Sequence, residues 1–232
     1  MNKDELKGWT IPVLDHGFVR VIDWMGSDQR ICEAARISYR APSKGDEQDQ
    51  KLINYLWRNH HTSPFEQVNI TFNIKLPLFV QGQMVRHRTQ RLNQVSARYT
   101  EMVDEFYIPK EWRKQDNKNK QSSISSEDLP HDKIREITSN ICKYAYDQYQ
   151  YLLGYGVSRE MARMILPQNI YTEIYSNWDL NNLMKFFSLR MDEHSQQEIR
   201  EYAKTMYDIT KEVFPMTMNA YEKYKWGLVE NL

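Results

Sequence analysis

The stretch Gln67-Val68-Asn69-Ile70-Thr71-Phe72-Asn73-Ile74-Lys75-Leu76-Pro77 is the clearest strand in the chain. Val68, Ile70, Phe72 and Ile74 fall on one face, and Asn69, Thr71, Asn73 and Lys75 on the other. That is the period of two expected of a half-buried strand, and Pro77 ends it.

From Leu78 the pattern turns helical through Phe79, Gly82, Val85 and Arg86, which puts Gln83 and Arg86 on one face. Arg88 to Gln94 has no steady period and reads as a loop, followed by a short extended piece at Val95 to Tyr99. Between Gln67 and Thr100 there is no Asp or Glu, yet Lys75, Arg86, Arg88, Arg91 and Arg98 all fall inside. The whole chain balances 31 Lys and Arg against 31 Asp and Glu, so cations have been gathered in one place. Arg grips carboxylate or phosphate through two parallel hydrogen bonds, and Asn93, Gln94 and Ser96 add neutral donors and acceptors beside it. The combination suggests a bound anion with a polar ring attached. The plainer alternative is a solvated basic loop that pairs with acids elsewhere.

Upstream, Phe18 to Trp24 alternates partly and precedes a helix that begins near Ser27 and carries Ile31, Ala34, Ala35 and Ile37. A polar excursion from Ala41 to Glu47 separates it from a second helix bearing Leu52, Ile53, Leu56 and Trp57. Downstream, Lys114 to Ser126 is almost wholly polar and reads as a mobile surface insertion. A helix near Lys133 to Leu153 follows, with Ile134, Ile137, Ile141, Ala145, Gln148 and Leu152 on one stripe. Ser158 is placed to cap a helix running to Leu166, Pro167 stops it, and Asn169 to Tyr175 alternates as a strand would. Asp179 is a candidate N-cap for a helix with Leu180, Leu183, Met184 and Phe187 inward. Ser195 and Glu198 fit a capping box for a new helix bearing Ile199, Tyr202, Ala203, Met206, Ile209 and Val213.

Composition removes several function classes. Zero net charge argues against a general nucleic-acid coating protein. Cys32 and Cys142 are too few and too far apart for a disulfide framework or a zinc site, which fits a reducing compartment. The opening residues are charged and no stretch approaches bilayer length, so a soluble, cytoplasmic protein is expected. Neither cysteine has a nearby His to activate it, Ser96 lacks the glycines of a nucleophile elbow, and the eight glycines form no dinucleotide loop. His60 and His61 are adjacent, so they point apart, and no further ligand lies at metal spacing. Ser63 in the turn after them can instead offer its hydroxyl to a cofactor. Arg159 and Arg163 share a helix face, and Arg190 and His194 lie at a helix end; alone, either group could be neutralised by neighbouring acids.

Arg86-His87-Arg88, seven intervening residues and then Ser96 resemble the signature of the flavin-dependent thymidylate synthase family. Ser63-Pro64-Phe65-Glu66, Gln83-x-x-Arg86, Ser96-x-Arg98-Tyr99, Phe106-Tyr107-Ile108-Pro109, Arg163 with Leu166-Pro167, and Leu189-Arg190 with His194 follow the same family in the same order. The resemblance implies one α/β domain of the α+β type over residues 1–232, with a mostly antiparallel sheet flanked by helices and a polar insertion at about 114–126. It implies a homotetramer with active sites at subunit interfaces. FAD, NADPH as reductant and 5,10-methylenetetrahydrofolate would convert dUMP to dTMP without a cysteine nucleophile or a metal. By likeness Arg190 is the catalytic residue, and dUMP is held by Gln83, Met84, Val85, Arg86, Gln94, Val95, Ser96, Ala97, Arg98, Arg163 and Arg190. FAD is held by Ser63, Arg86, His87, Arg88, Gln94, Asn181 and His194, with His61 also near. Three positions depart from the pattern. Gln94 replaces a common Glu, Asp179 and Asn181 stand where Asn and Arg are frequent, and Arg91 replaces a small residue. A noncatalytic nucleotide- or RNA-binding module built on the same arginines is the rival, and it requires no bound flavin.

Overall fold

The computed structural model describes residues 3–40, 45–120 and 122–224. The strands are β1 (Thr10–Val13), β2 (Gly17–Met25), β3 (Asn69–Pro77), β4 (Arg91–Gln94), β5 (Arg113–Gln115), β6 (Ser123–Ser125) and β7 (Tyr171–Asp179). Five form an antiparallel sheet in the order β1-β2-β3-β7-β4, and β5 with β6 makes a separate hairpin. The helices are α1 (Lys3–Leu6), α2 (Asp28–Arg36), α3 (Asp46–Arg58), α4 (Leu78–Met84), α5 (His131–Gly154), α6 (Arg159–Ala162), α7 (Leu180–Arg190), α8 (Gln197–Val213) and α9 (Pro215–Lys223).

The alternating stretch from Gln67 to Pro77 becomes β3, at the centre of the sheet. Val68, Ile70, Phe72 and Ile74 are fully buried in the main core with residues of β2, β7, α3, α7, α8 and α9. On the opposite face Asn73 is also buried, because its Nδ2 donates to Glu173 Oε1 at 2.8 Å and to the Ile174 carbonyl at 3.3 Å. The inward stripe of α8 is buried from Ile199 to Val213, and the stripe of α7 from Leu180 to Phe187. Ser27 caps α2 by accepting from the Arg30 amide, and Asp179 caps α7 by accepting from the Asn182 amide at 2.9 Å. One close approach needs glycine. A Cβ on Gly17 would stand 2.0 Å from the Tyr202 hydroxyl and 2.7 and 2.8 Å from the Val13 and Lys75 carbonyls.

Several local expectations shift. The extended piece lies at Arg91–Gln94, not at Val95 to Tyr99, where the chain instead turns over Ser96. β4 pairs with only one neighbour and is largely exposed, so no apolar alternation marks it. The helix from Leu78 ends at Met84, before Arg86. The strand expected at Asn169 to Tyr175 runs from Tyr171 to Asp179. The stripe expected on α5 is not its buried one. Ile137 and Ile141 are exposed, while Cys142 and Tyr149 are buried against Ala97, Met102, Phe106, Ala162 and Ile170. Ile37 is also exposed, in a 3-10 turn after α2. Ser195 and Glu198 form no capping box. The Ser195 hydroxyl donates to the Leu189 carbonyl, Gln196 stands at the N-cap, and Glu198 is taken by Arg113. The polar segment 114–126 is not structureless, since it contributes to both strands of the hairpin. The expected excursion from Ala41 to Glu47 falls partly on residues 41–44, outside the described residues, and α3 already begins at Asp46.

Candidate active site

Two neighbourhoods on the β3–α4–β4 stretch gather most of the candidate residues. In the first, Arg190 at the end of α7 meets the chain leaving α4. Its Nε donates to His87 Nε2 at 3.0 Å and its Nη2 to the Gln83 carbonyl at 3.3 Å. The His87 ring stands edge-on to Phe186, 4.9 Å between centroids, and beside Trp178. Burial, with the Arg190 charge adding to it, pulls the His87 pKa down to about 4, so the ring is neutral near pH 7. Burial also lowers the pKa of Arg190. The Gln83 side chain donates to Gln196 Oε1, and Gln196 Nε2 donates to Glu198 Oε2 at 2.9 Å. Glu198 then takes Arg113 through both oxygens, at 2.8 and 2.9 Å.

The second neighbourhood is a cavity of about 470 Å³ lined by Gln94, Val95, Ser96, Ala97, Arg163 and Thr172, with Leu78, Met102, Met164, Leu166 and Ile170 as its apolar wall. Gln94 is fixed at both ends of its amide. Its Nε2 donates to Thr172 Oγ1 and its Oε1 accepts from Gln81 Nε2, each at 3.1 Å. The Ser96 carbonyl accepts from the Tyr99 and Thr100 amides, and this turn sets Ser96 at the cavity wall. Arg98 is exposed and pairs with Glu160 at 3.4 Å.

The expectation of an acid-free basic run divides by residue. Lys75 pairs with Glu105, Arg98 with Glu160, and Arg91 donates to Asn177. Among the described residues, the guanidiniums of Arg86, Arg88 and Arg163 have no acidic partner. All three are exposed, so water solvates them in the free chain and their donors stay open to an anionic ligand.

Other candidates lie apart. Ser63 opens a 3-10 turn at a groove of about 490 Å³ with Arg30, Glu33 and Gln67. His194 borders a cavity of about 500 Å³ under the hairpin, beside Trp112 and Arg113. Met84 and Asn181 are buried; Asn181 Nδ2 donates to Glu66, while its Oδ1 has no hydrogen-bond donor. Asp179 is occupied as an N-cap and holds the Asn182 amide with both oxygens. Sequence reasoning missed Gln81 and Thr172, which hold Gln94, and Gln196, which holds Gln83. Nothing in their local pattern sets them apart, since their role arises only when α4, β7 and α8 are assembled. Cys32 and Cys142 are buried, and burial pushes the Cys32 thiol up to about 12. Among the described residues no three His, Cys, Asp or Glu side chains are grouped to hold a metal, and no helix is long and apolar enough to cross a membrane.

A mixed α/β scaffold thus carries a cavity with Arg163, Gln94 and Ser96 on its wall and a half-buried corner where Arg190 meets His87, polar groups of the kind that suit an anionic small molecule. Residues 20–216 match the family described as thymidylate synthase complementing protein, and the chain belongs to that family. A flavin-dependent thymidylate synthase of Thermus thermophilus is 46% identical over 215 residues, covering 93% of this chain and 79% of the relative. One from Treponema denticola is 46% identical over 218 residues, covering 92% and 82%. Among solved structures, the UMP/dUMP methylase PolB of Streptomyces cacaoi bound with 5-Br dUMP superposes with a TM-score of 0.84 at 30% identity, covering 92% of this chain and 98% of that one.

Proposed function

We propose that the chain converts dUMP to dTMP as a flavin-dependent thymidylate synthase, with 5,10-methylenetetrahydrofolate as one-carbon donor and NADPH as reductant. The observation that carries the reading is the cavity in which Gln94 to Ala97 and Arg163 converge, in a chain 46% identical to synthases of that name. Ser96 offers a hydroxyl and Arg163 an unpaired guanidinium to a nucleotide there, and exposed Arg98 follows the lining residue Ala97 in the chain. Arg190 has five N–H groups and commits two of them, to His87 and Gln83, which leaves three for an acceptor. Such a fixed cation at the uracil edge stabilises negative charge on the ring, so that C5 becomes nucleophilic without a cysteine. The raised thiol of buried Cys32 agrees with that route.

Bound FAD would supply the hydride. The chain fits such a group at several points. Arg86 and Arg88 carry charge with no acidic partner among the described residues, and Asn181 Oδ1 is a buried acceptor lacking a donor. Ser63, Arg86, His87, Arg88, Gln94, Asn181 and His194 would hold it, and the cations would favour its anionic reduced form.

The candidate residues occupy separate cavities of one chain, and this supports a site completed by other subunits. Ile137, Ile141, Tyr144, Tyr151 and Tyr155 follow one another at spacings of four, three, seven and four along α5 and its C-cap, and all are exposed. Such an uncovered apolar stripe suits association with further copies in a homotetramer. Purified protein should take up FAD with a yellow spectrum and form dTMP from dUMP, methylenetetrahydrofolate and NADPH. Absence of both refutes the enzyme reading and leaves the nucleotide-binding module. A monomer in sedimentation refutes the assembly.

A further inference from the structure

We infer that His87 is a positioning residue for Arg190: its neutral imidazole accepts the Arg190 Nε proton and so fixes the plane in which the guanidinium meets the nucleotide. The inference rests on the proposed reading of Arg190 and adds to it a reason for the guanidinium's orientation.

Three observations converge. The first is the hydrogen bond itself, with Arg190 Nε donating to His87 Nε2 at 3.0 Å. An arginine would ordinarily seek a carboxylate, which would neutralise the charge that catalysis uses. A neutral ring nitrogen fixes the same donor and leaves the full positive charge available. The second is the ring's own restraint. Phe186 meets it edge-on at 4.9 Å and Trp178 stands 6.1 Å away, and both are fully buried, so the imidazole has little room to rotate. The third is the Gln83 carbonyl, which takes the Nη2 proton at 3.3 Å and gives the guanidinium a second point in the same plane.

Two hydrogen bonds at different corners, together with the side chain's own attachment at Nε, fix the orientation of the planar group. For His87 Nε2 to accept, the imidazole must be unprotonated there, and its single proton then resides on Nδ1. Burial and the facing Arg190 charge keep the ring neutral at working pH. A carboxylate here would stabilise Arg190 more but weaken its pull on developing negative charge.

The test is a double-mutant cycle on the FAD-loaded protein using His87→Phe, His87→Gln, Arg190→Ala and the Phe/Ala pair. Phe keeps the packing but offers no acceptor; Gln restores one. The expected result is a roughly ten- to hundred-fold fall in kcat per bound flavin for His87→Phe, with KM for dUMP changed less than about threefold. His87→Gln should recover most of the loss, and His87→Phe should cost nothing further once Arg190 is alanine. Equal failure of the Gln and Phe variants, or additive losses in the pair, overturns the positioning role while leaving Arg190 as proposed. If Arg190→Ala alone retains full turnover, the reading of Arg190 falls and the positioning role falls with it. Melting temperatures of the same proteins give a readout apart from turnover. They should be non-additive, since the two side chains share one hydrogen bond; additive shifts count against the contact.

Discussion

Replacing Glu198 with Gln keeps the side chain's shape and removes its charge from a largely desolvated pair. Glu198 is 4% exposed at its side chain and Arg113 19%. The carboxylate accepts two guanidinium hydrogen bonds, the Tyr107 hydroxyl at 3.1 Å and the Gln196 amide at 2.9 Å. Breaking a buried ion pair from one side costs about 3–5 kcal/mol. Arg113 retains some contact with water and still donates to Gln197 and Ser123, which brings the expected loss to about 2–3 kcal/mol. For a chain of this size each kcal/mol lowers Tm by about 2–4 °C, so the variant should melt about 4–12 °C below the parent. Melting followed by circular dichroism at one fixed protein concentration measures it, because subunit association makes Tm concentration-dependent. The pH dependence supplies a second check. Burial pushes the Glu198 pKa up, but the Arg113 hydrogen bonds outweigh it and hold the group below the ordinary carboxylate range. The contribution is therefore complete above the unfolded value of about 4.3 and is lost as pH falls through the lower folded value. The gap between parent and variant should be widest near neutrality and close in acid. A variant melting within 1 °C of the parent, as an order-of-magnitude bound, at pH 7 would refute the idea that this pair ties the hairpin to α8.

Gly17→Ala should destabilise by at least about 2 kcal/mol, since its Cβ meets two backbone carbonyls as well as the Tyr202 hydroxyl; urea unfolding with a shift below about 0.5 kcal/mol would contradict the packing. Cys32→Ala and Cys142→Ala should each keep turnover within about twofold while lowering Tm, and a thousand-fold loss in either would point to thiol chemistry. Because the folded His87 titrates at about 4 and an unfolded one at about 6.5, the unfolded chain binds more protons between those values. Stability should therefore rise with pH across that window, and the rise should be smaller in His87→Phe; identical slopes would show that the ring is not held neutral.

Sequence pattern reached those parts of the fold where one face is buried and the other wet. β3, α7 and α8 obey that rule, and their periods stand out in the chain. It failed where the physical cause lay in a neighbour. β4 is a strand because β7 offers it a free edge, while its own Arg91-Leu92-Asn93-Gln94 carries no apolar rhythm. On α5 the isoleucines mark one face and the buried residues another, since helical periodicity records apolar stripes without saying what covers them. Glu198 has the spacing of a capping box but lies within reach of Arg113, and a largely desolvated guanidinium outcompetes a helix amide. The site was legible to the extent that ligand-binding residues are local. Gln94 to Ala97 and Arg163 do share a cavity, whereas Gln81 and Thr172, which hold Gln94, and Gln196, which holds Gln83, come from other elements.

The β5–β6 hairpin is gripped at its base, where Arg113 joins α8 and also donates to Ser123, while Asn117 and Lys118 in the turn between the strands are exposed. Root and crown of the same small element thus answer to different demands. The crown is a natural place to graft an epitope or a fluorophore, because polar residues there can be lengthened without disturbing the α8 anchor. A dye attached there would report assembly from outside while Arg113 kept the root in place.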